Sequence, residues 1–408
     1  MAKALFLGLP LYGHTNPSLP LVRELVQRGD EVVYFSTEAF AASIVQAGAR
    51  YQSYRNAFLA DLRQLPERTD ELSWLLMRTT GEVLARELQA FRAERPDYVI
   101  TDSVAPWGQW VGEALGVPIV TSVTTFAVNR HVLAFTVARG TRPKSARLLL
   151  SKIRHMTKAS LLGRQLRRTH GLTGTGVLGL VFGRSDLNIV YTSRHFQPCA
   201  ESFDDRFQFI GPSIGPRTET VSLPWDEGSR TAVIYVSLGT LFNADPVFYR
   251  NCFEAFRDQN VRVLMSIGDN VSEASVGSTP PNVVVKRYFP QLDVLRRASA
   301  FVSHGGMNSV SESLSYGVPM VIVPQMSEQE LVGRQVEELG AGLCLAREEA
   351  TAEKLRASVQ RLLDDDRFRR QAAVIRRSFE AAGGVALGAN AILAFTRQHV
   401  TRASIGEA

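Results

Sequence analysis

The chain writes one supersecondary rhythm twice. Short apolar, β-rich runs recur between helix-length segments at Ala4–Gly8, Glu31–Phe35, Tyr98–Thr101, Pro118–Ser122 and Leu187–Tyr191. The rhythm restarts at Ala232–Ser237, Val261–Ile267, Val283–Lys286, Ala300–Ser303 and Pro319–Pro324. Alternation of this kind dictates parallel sheets with helices packed on their faces. Between the halves, after Phe207–Gly211, the stretch from Pro212 to Arg230 is rich in Pro, Gly, Ser and Thr and poor in apolar residues, which reads as a linker. A length of 408 residues also exceeds what one hydrophobic core usually supports. We therefore expect an α/β protein of two doubly wound domains facing one another across a cleft. In such sheets ligands sit outside the carboxyl ends of the strands, so residues just after strands carry the chemical information.

Composition removes several alternatives. With 45% hydrophobic and 21% charged residues the chain is globular rather than fibrous or disordered. Its three cysteines, Cys199, Cys252 and Cys344, are far apart and form no C-x-x-C pair, which argues against a disulfide framework or a zinc site. The start has Lys3 and a short apolar run, but Tyr12, Gly13 and His14 stand where a small-residue cleavage site would be, so it reads as a first strand and not a signal peptide. No uninterrupted apolar stretch approaches the roughly 20 residues of a membrane span, and the expected location is the cytoplasm. The net charge of +6 is modest and identifies no ligand.

The first informative corner follows Ala4–Gly8. Asn16 is placed to cap the next helix, Pro17 suits its first turn and Gly29 ends it, which sets His14 at the mouth of the sheet rather than inside a helix. An imidazole there is suited to take a proton from a hydroxyl at neutral pH. Asp102, at the end of Tyr98–Thr101, is a carboxylate at the matching edge that would fix the tautomer. The structural alternative is that His14 bonds a loop carbonyl and Asp102 caps a helix.

The second corner is His304-Gly305-Gly306-Met307-Asn308-Ser309-Val310-Ser311-Glu312, after Ala300–Ser303. Glycines admit close backbone approach, and a helix N-terminus favours anions, so the corner suits a phosphate. His304, Asn308 and Ser309 add donors for a diphosphate, and Glu312 can accept ribose hydroxyls. Ser309-Val310-Ser311-Glu312 equally fits a capping box in which Glu312 only reaches back to backbone. No G-x-G-x-x-G lies at Gly8–Gly13 and no P-loop occurs, which counts against dinucleotide oxidoreductases and kinases.

Taken in order, Tyr288-Phe289-Pro290-Gln291, the His304–Glu312 corner and Pro324-Gln325-Met326-Ser327-Glu328-Gln329 resemble the nucleotide-sugar signature of family 1 glycosyltransferases. The resemblance is strongest to the bacterial macrolide and flavonoid branch and extends from Gly13-His14 through Asp102 to the C-terminal helix. It implies a GT-B fold of two Rossmann-like domains. Residues 1–215 would bind the acceptor, 216–230 link, 231–380 bind the nucleotide sugar, and a helix within 381–408 return to the first domain. His14 matches the family's catalytic base and Asp102 its partner. Tyr288 stands where many relatives stack a tryptophan on uracil, and Gln291 would border the base. His304, Gly306, Asn308 and Ser309 would hold the diphosphate, with Ser237, Gly239 and Thr240 nearby, and Glu312 the ribose. Glu328 and Gln329 match the pair that reads sugar hydroxyls. Here Glu328 replaces the aspartate commoner in plants, which leaves the sugar open. The implied reaction is inverting transfer of a sugar, glucose from UDP-glucose by resemblance, to a hydroxyl of a small apolar flavonoid, macrolide or polyketide. A nucleotide-sugar epimerase and a transferase acting on a lipid or anionic acceptor at a membrane surface are the alternatives.

No metal or other cofactor is expected, because the His304 corner would stabilise the departing diphosphate. Asp364-Asp365-Asp366 contains D-x-D formally but lies in a charged helical stretch. From Arg139 to His170 there is no acidic residue, and Arg139, Arg142, Lys144, Arg147, Lys152, Arg154, Lys158, Arg164, Arg167 and Arg168 are interleaved with Leu148–Leu150, Ile153 and Met156. This reads either as a solvated helix pair beside the acceptor pocket or as a weak membrane-surface contact within 139–170. The resemblance places acceptor walls in this region, so Phe126, Asn129 and His131, just before it, are acceptor candidates. Nucleic acid is not an expected partner, since no groove-reading motif accompanies the charge.

Overall fold

The computed structural model describes residues 2–55, 71–138, 146–173, 185–215, 223, 231–241 and 243–406. The expected linker 216–230, Leu223 excepted, and the start of the basic stretch, 139–145, lie outside them. Contacts divide the chain into two compact units, Met1–Gly215 with Phe379–Ala408, and Pro216–Ser378.

The first unit carries a seven-stranded parallel sheet of β1 (Lys3–Leu7), β2 (Glu31–Ser36), β3 (Arg50–Ser53), β4 (Tyr98–Asp102), β5 (Ile119–Val123), β6 (Leu187–Val190) and β7 (Phe207–Phe209), in the order β3-β2-β1-β4-β5-β6-β7. Both faces are buried. Ala4, Phe6, Val32, Tyr34, Tyr98 and Ile100 join one core, and Leu5, Leu7, Val33, Phe35 and Val99 the other. Continuous apolar runs follow from this, because alternate side chains on each strand must satisfy opposite cores.

The second unit has β8 (Ala232–Ser237), β9 (Val261–Ser266), β10 (Val283–Lys286), β11 (Ala298–Ser303), β12 (Met320–Ile322) and β13 (Gly342–Cys344), in the order β10-β9-β8-β11-β12-β13, all parallel. Each sheet therefore reverses its strand order beside its first strand: between β1 and β4 in one unit, between β8 and β11 in the other. Such a reversal sends successive crossovers to opposite sides and opens a crevice at the carboxyl ends.

Three strands escape the sequence reading. One of them, β7, is three residues long and lies at one edge of the first sheet. β3 and β13 lie at sheet edges, with the sequences Arg-Tyr-Gln-Ser and Gly-Leu-Cys, too short and polar or small to register as apolar runs. The segment Asp366–His399 is, by length and composition, apolar enough to cross a membrane, although no uninterrupted apolar run of that length stands out in the sequence. The structure breaks it into helices Asp366–Glu380 and Gly384–Gly406, with Gly383 and Gly384 both at positive φ. The second helix lies on helix Tyr12–Gln27, where Gly388 fits against Leu21, Ile189 and Ile210, and Ala389 and Ile392 are fully buried.

Candidate active site

Helix Tyr12–Gln27 starts a turn earlier than its proline suggests. The Leu11 carbonyl accepts from both His14 N–H at 3.0 Å and Thr15 N–H at 2.8 Å, and this closes the first turn without a side-chain cap. Asn16 is therefore not the cap, and Pro17 and Pro20 lie inside the helix. His14 sits in the first helical turn, which corrects its expected place in the preceding loop; it remains at the carboxyl end of the sheet because the helix begins five residues after β1 ends.

Three adjacent strands converge on His14. Asp102 ends β4, which pairs with β1, and Thr124 follows β5, which pairs with β4. Asp102 Oδ2 and Thr124 Oγ1 each lie 2.9 Å from His14 Nδ1. The carboxylate is an acceptor, so Nδ1 carries the hydrogen and Nε2 is the nitrogen left to accept a proton. Asp102 is itself fixed, its Oδ1 accepting the Val104 N–H at 2.8 Å. Only 2% of its side chain is exposed, against 16% for His14, so the orienting charge is shielded while the imidazole reaches solvent.

In the second unit the switch between β8 and β11 is built as paired Ser-x-Gly turns. Ser237 and Ser303 end the two strands in register. Each hydroxyl accepts the N–H of the glycine two residues on, Gly239 or Gly305, at 3.2 Å, and both glycines have positive φ. His304 lies against Gly239 and Gly306 so closely that a Cβ on either would collide with its ring. Burial pushes the imidazole down to about 4, although a hydrogen bond to the Ser237 backbone favours protonation. His304 is therefore a neutral group at neutral pH.

Helix Met307–Ser315 starts from Gly306 with no side-chain cap, so Ser309 to Glu312 fall inside it and the capping box is not formed. Glu312, 3% exposed, instead accepts from Gln291 Nε2 at 2.6 Å, and the same amide reaches Ser309 Oγ at 3.3 Å. Gln291, Ser309 and Glu312 thus form one cluster. Asn308 occupies the helix's first turn. Beyond β12, Glu328 and Gln329 lie in the first turn of helix Ser327–Glu338. Gln329 Oε1 accepts the Gln325 N–H at 2.8 Å, and its carbonyl approaches Gly305. Thr240 is exposed after β8. Tyr288 is 47% exposed, with its hydroxyl donating to Asp269 Oδ2 at 2.8 Å.

The acceptor candidates have structural roles of their own. Phe126 is buried against Phe196. Asn129 accepts the N–H groups of His131 and Val132 at the start of helix Arg130–Ala138 and donates to Ser202, while His131 is exposed beside Arg130. The acidic run is likewise engaged: Asp364 accepts from Gln360, and Arg367 holds the Asp365 carboxyl down to about 2. Among the described residues no three His, Cys, Asp or Glu side chains gather as metal ligands.

Sequence reasoning missed Thr124, Asp269 and Asn243. Asn243 is fully buried and donates to the Gly239 carbonyl at 2.8 Å, so it holds the loop in which Gly239 sits. The available signal was a polar residue shortly after a strand end, which Thr124, Asp269 and Asn243 all are.

The description "Erythromycin biosynthesis protein CIII-like, C-terminal domain" matches residues 254–383, which include the His304 corner. Over 394 residues the chain is 35% identical to the NDP-glycosyltransferase YjiC of Bacillus subtilis strain 168, covering 96% of this chain and 97% of that one. The chain belongs to the family 1 glycosyltransferases. This glycosyltransferase is also 34% identical over 405 residues to the demethyllactenocin mycarosyltransferase of Streptomyces fradiae, covering 96% and 86% of the two chains. Among solved structures it is similar to the calicheamicin glycosyltransferase CalG4, at 30% identity and a TM-score of 0.78 over 97% of this chain and 98% of that one. The glycotransferase of kitacinnamycin matches with a TM-score of 0.83 at 28% identity, over 96% and 98% of the two chains. The glycosyltransferase thus has the GT-B architecture and belongs to the natural-product branch of its family.

Proposed function

We propose that this glycosyltransferase moves a hexose from a uridine diphosphate sugar to a hydroxyl of a small, largely apolar natural product, with inversion at the anomeric carbon and no metal ion. The observation that carries the reading is the 2.9 Å contact between His14 Nδ1 and the shielded Asp102 carboxylate. It leaves Nε2 as the base for an acceptor hydroxyl. The deprotonated oxygen attacks the anomeric carbon from the face opposite the diphosphate, the carbon–oxygen bond to the diphosphate breaks, and the electron pair leaves with the nucleotide. Charge growing on that diphosphate would be met by the uncapped N-terminus of helix Met307–Ser315, the turns around Gly239 and Gly306, and His304 as a neutral hydrogen-bonding group. Glu312, oriented by Gln291, would accept ribose hydroxyls, Tyr288 would present a stacking face to the base, and Glu328 with Gln329 would read the sugar. The names of its relatives, which include a mycarosyltransferase, support a natural-product acceptor.

The deciding experiment incubates the protein with UDP-glucose and a panel of flavonoids and macrolides in EDTA, and reads products by mass spectrometry and anomeric configuration by NMR. A product heavier by one hexose, β-linked and lost in His14→Ala, supports every part of the reading. A product that requires added divalent metal, or an α-linkage, overturns the corresponding part. Isomerised UDP-sugar with no glycoside formed would support the epimerase reading instead.

A further inference from the structure

Helix Ala146–His170 presents to solvent a face that a merely solvated helix has no reason to carry. Its seven Lys and Arg residues are unaccompanied by any Asp or Glu, and they outweigh the net +6 of the whole chain, so the rest of the protein is near neutral. Four of the ten exposed large hydrophobic side chains among the described residues, Leu150, Ile153, Met156 and Leu161, lie on this one helix. Single exposed hydrophobic residues need no explanation, but a cluster on one element does. The geometry gathers three of them, Leu150, Ile153 and Leu161, whereas Met156 falls on the side of Gly163. Leu150, Arg154, Thr157, Leu161, Arg164 and Arg168 are spaced alternately by four and three residues, which lines them up as one stripe, with Ile153 alongside. All are exposed, whereas Ala159 and Gly163, on the opposite face, are buried toward helix Leu72–Glu94, whose Gly81 receives Leu166.

We propose that this stripe docks the enzyme onto an anionic phospholipid bilayer. Charge complementarity selects the occupant. The guanidinium groups of Arg154, Arg164 and Arg168 engage lipid phosphates at the headgroup level, while Leu150, Ile153 and Leu161 enter the boundary between headgroups and acyl chains. A soluble polyanion would satisfy the cations but leave the apolar side chains in water. The inference goes beyond the transfer reaction and does not depend on the identity of donor or acceptor.

The test is co-sedimentation of the full-length protein with vesicles of pure phosphatidylcholine and with vesicles holding roughly one-third phosphatidylglycerol, at low and high salt. Binding is expected only to the anionic vesicles and to weaken with salt. It is expected to fall at least about tenfold in Arg154→Glu/Arg164→Glu/Arg168→Glu and in Ile153→Asp/Leu161→Asp. All five side chains are exposed, and unchanged circular dichroism and thermal melting establish that the variants fold; Ile153→Ser/Leu161→Ser is the milder companion. Absence of binding to anionic vesicles at low salt, or equal binding to both vesicle types, overturns the proposal. So does competition by duplex DNA combined with no effect of the apolar variants, which would identify the stripe as a polyanion site.

Discussion

The imidazole of His304 fills the space that a side chain on Gly239 would need: a Cβ built there would lie 2.6 Å from Cε1 and 2.7 Å from Nε2. Gly306 is held against the same ring, and its φ of −61° is ordinary for any residue. The two glycines therefore separate two effects. At Gly239, φ is +78°, so alanine adds backbone strain of about 1–3 kcal/mol to the collision. At Gly306 alanine only displaces His304. Gly306→Ala should raise the KM for a UDP-sugar about tenfold or more with little change in melting temperature, and should add almost nothing in a His304→Ala background. Steady-state kinetics on the double-mutant cycle decide the matter, and additive losses would show that Gly306 acts by another route.

The burial of His304 also makes a prediction about pH. Its unfolded pKa is about 6.5 and its folded value about 4, so below about 6.5 the unfolded chain takes up a proton that the folded site excludes. The stability that depends on this histidine is complete above that range, falls as pH drops toward 4, and then levels. The slope from one such group is at most about 1.4 kcal/mol per pH unit. Urea unfolding at several pH values should show the wild type losing stability between pH 6.5 and 4 more steeply than His304→Gln. Parallel curves would mean that the imidazole titrates normally.

At the first corner, Asp102 works through orientation, and asparagine tests that. In Asp102→Asn the side-chain oxygen can keep the Val104 N–H, which turns the amide NH2 toward His14 Nδ1. The imidazole must then accept at Nδ1 and carry its hydrogen on Nε2, where the base is needed. We expect kcat to fall by about 10²–10⁴ with donor KM nearly unchanged. Thr124→Val, which removes a contact to the same nitrogen while Asp102 remains, should cost about tenfold or less. A larger loss in Thr124→Val than in Asp102→Asn would reverse the assigned order of importance.

Much of this was legible because parallel sheets buried on both faces announce their strands as apolar runs, and because His14, Asp102 and the His304 corner follow such runs immediately. What the sequence hid has local causes. β3 and β13 are edge strands with no apolar run to betray them. The start of helix Tyr12–Gln27 was obscured because a backbone carbonyl, Leu11, closes its first turn instead of a side-chain cap. Ser309 and Glu312 have the spacing of a capping box, yet tertiary contact with Gln291, 21 residues earlier than Glu312, claims the carboxylate. Thr124 and Asn243 became visible only when neighbouring strands fixed what each side chain could reach.

The Gln291–Glu312 pair bears on which nucleotide the enzyme prefers. Gln291 Nε2 donates to Glu312 Oε2, which orients the carboxylate. A ribose offers two adjacent hydroxyls to such a carboxylate, and a deoxyribose only one. If Glu312 reads the ribose, Glu312→Ala should raise the KM for a UDP-sugar more than for the matching dTDP-sugar, by a factor of at least about ten, since one hydrogen bond to a charged group is worth about 1.5–3 kcal/mol. Gln291→Ala should move both donors in the same direction by less, because it frees the carboxylate without deleting it. Competition between UDP and dTDP in the two variants measures the ratio directly. An equal loss for both nucleotides would place Glu312 in the support of helix Met307–Ser315 rather than in recognition of the sugar ring of the nucleoside.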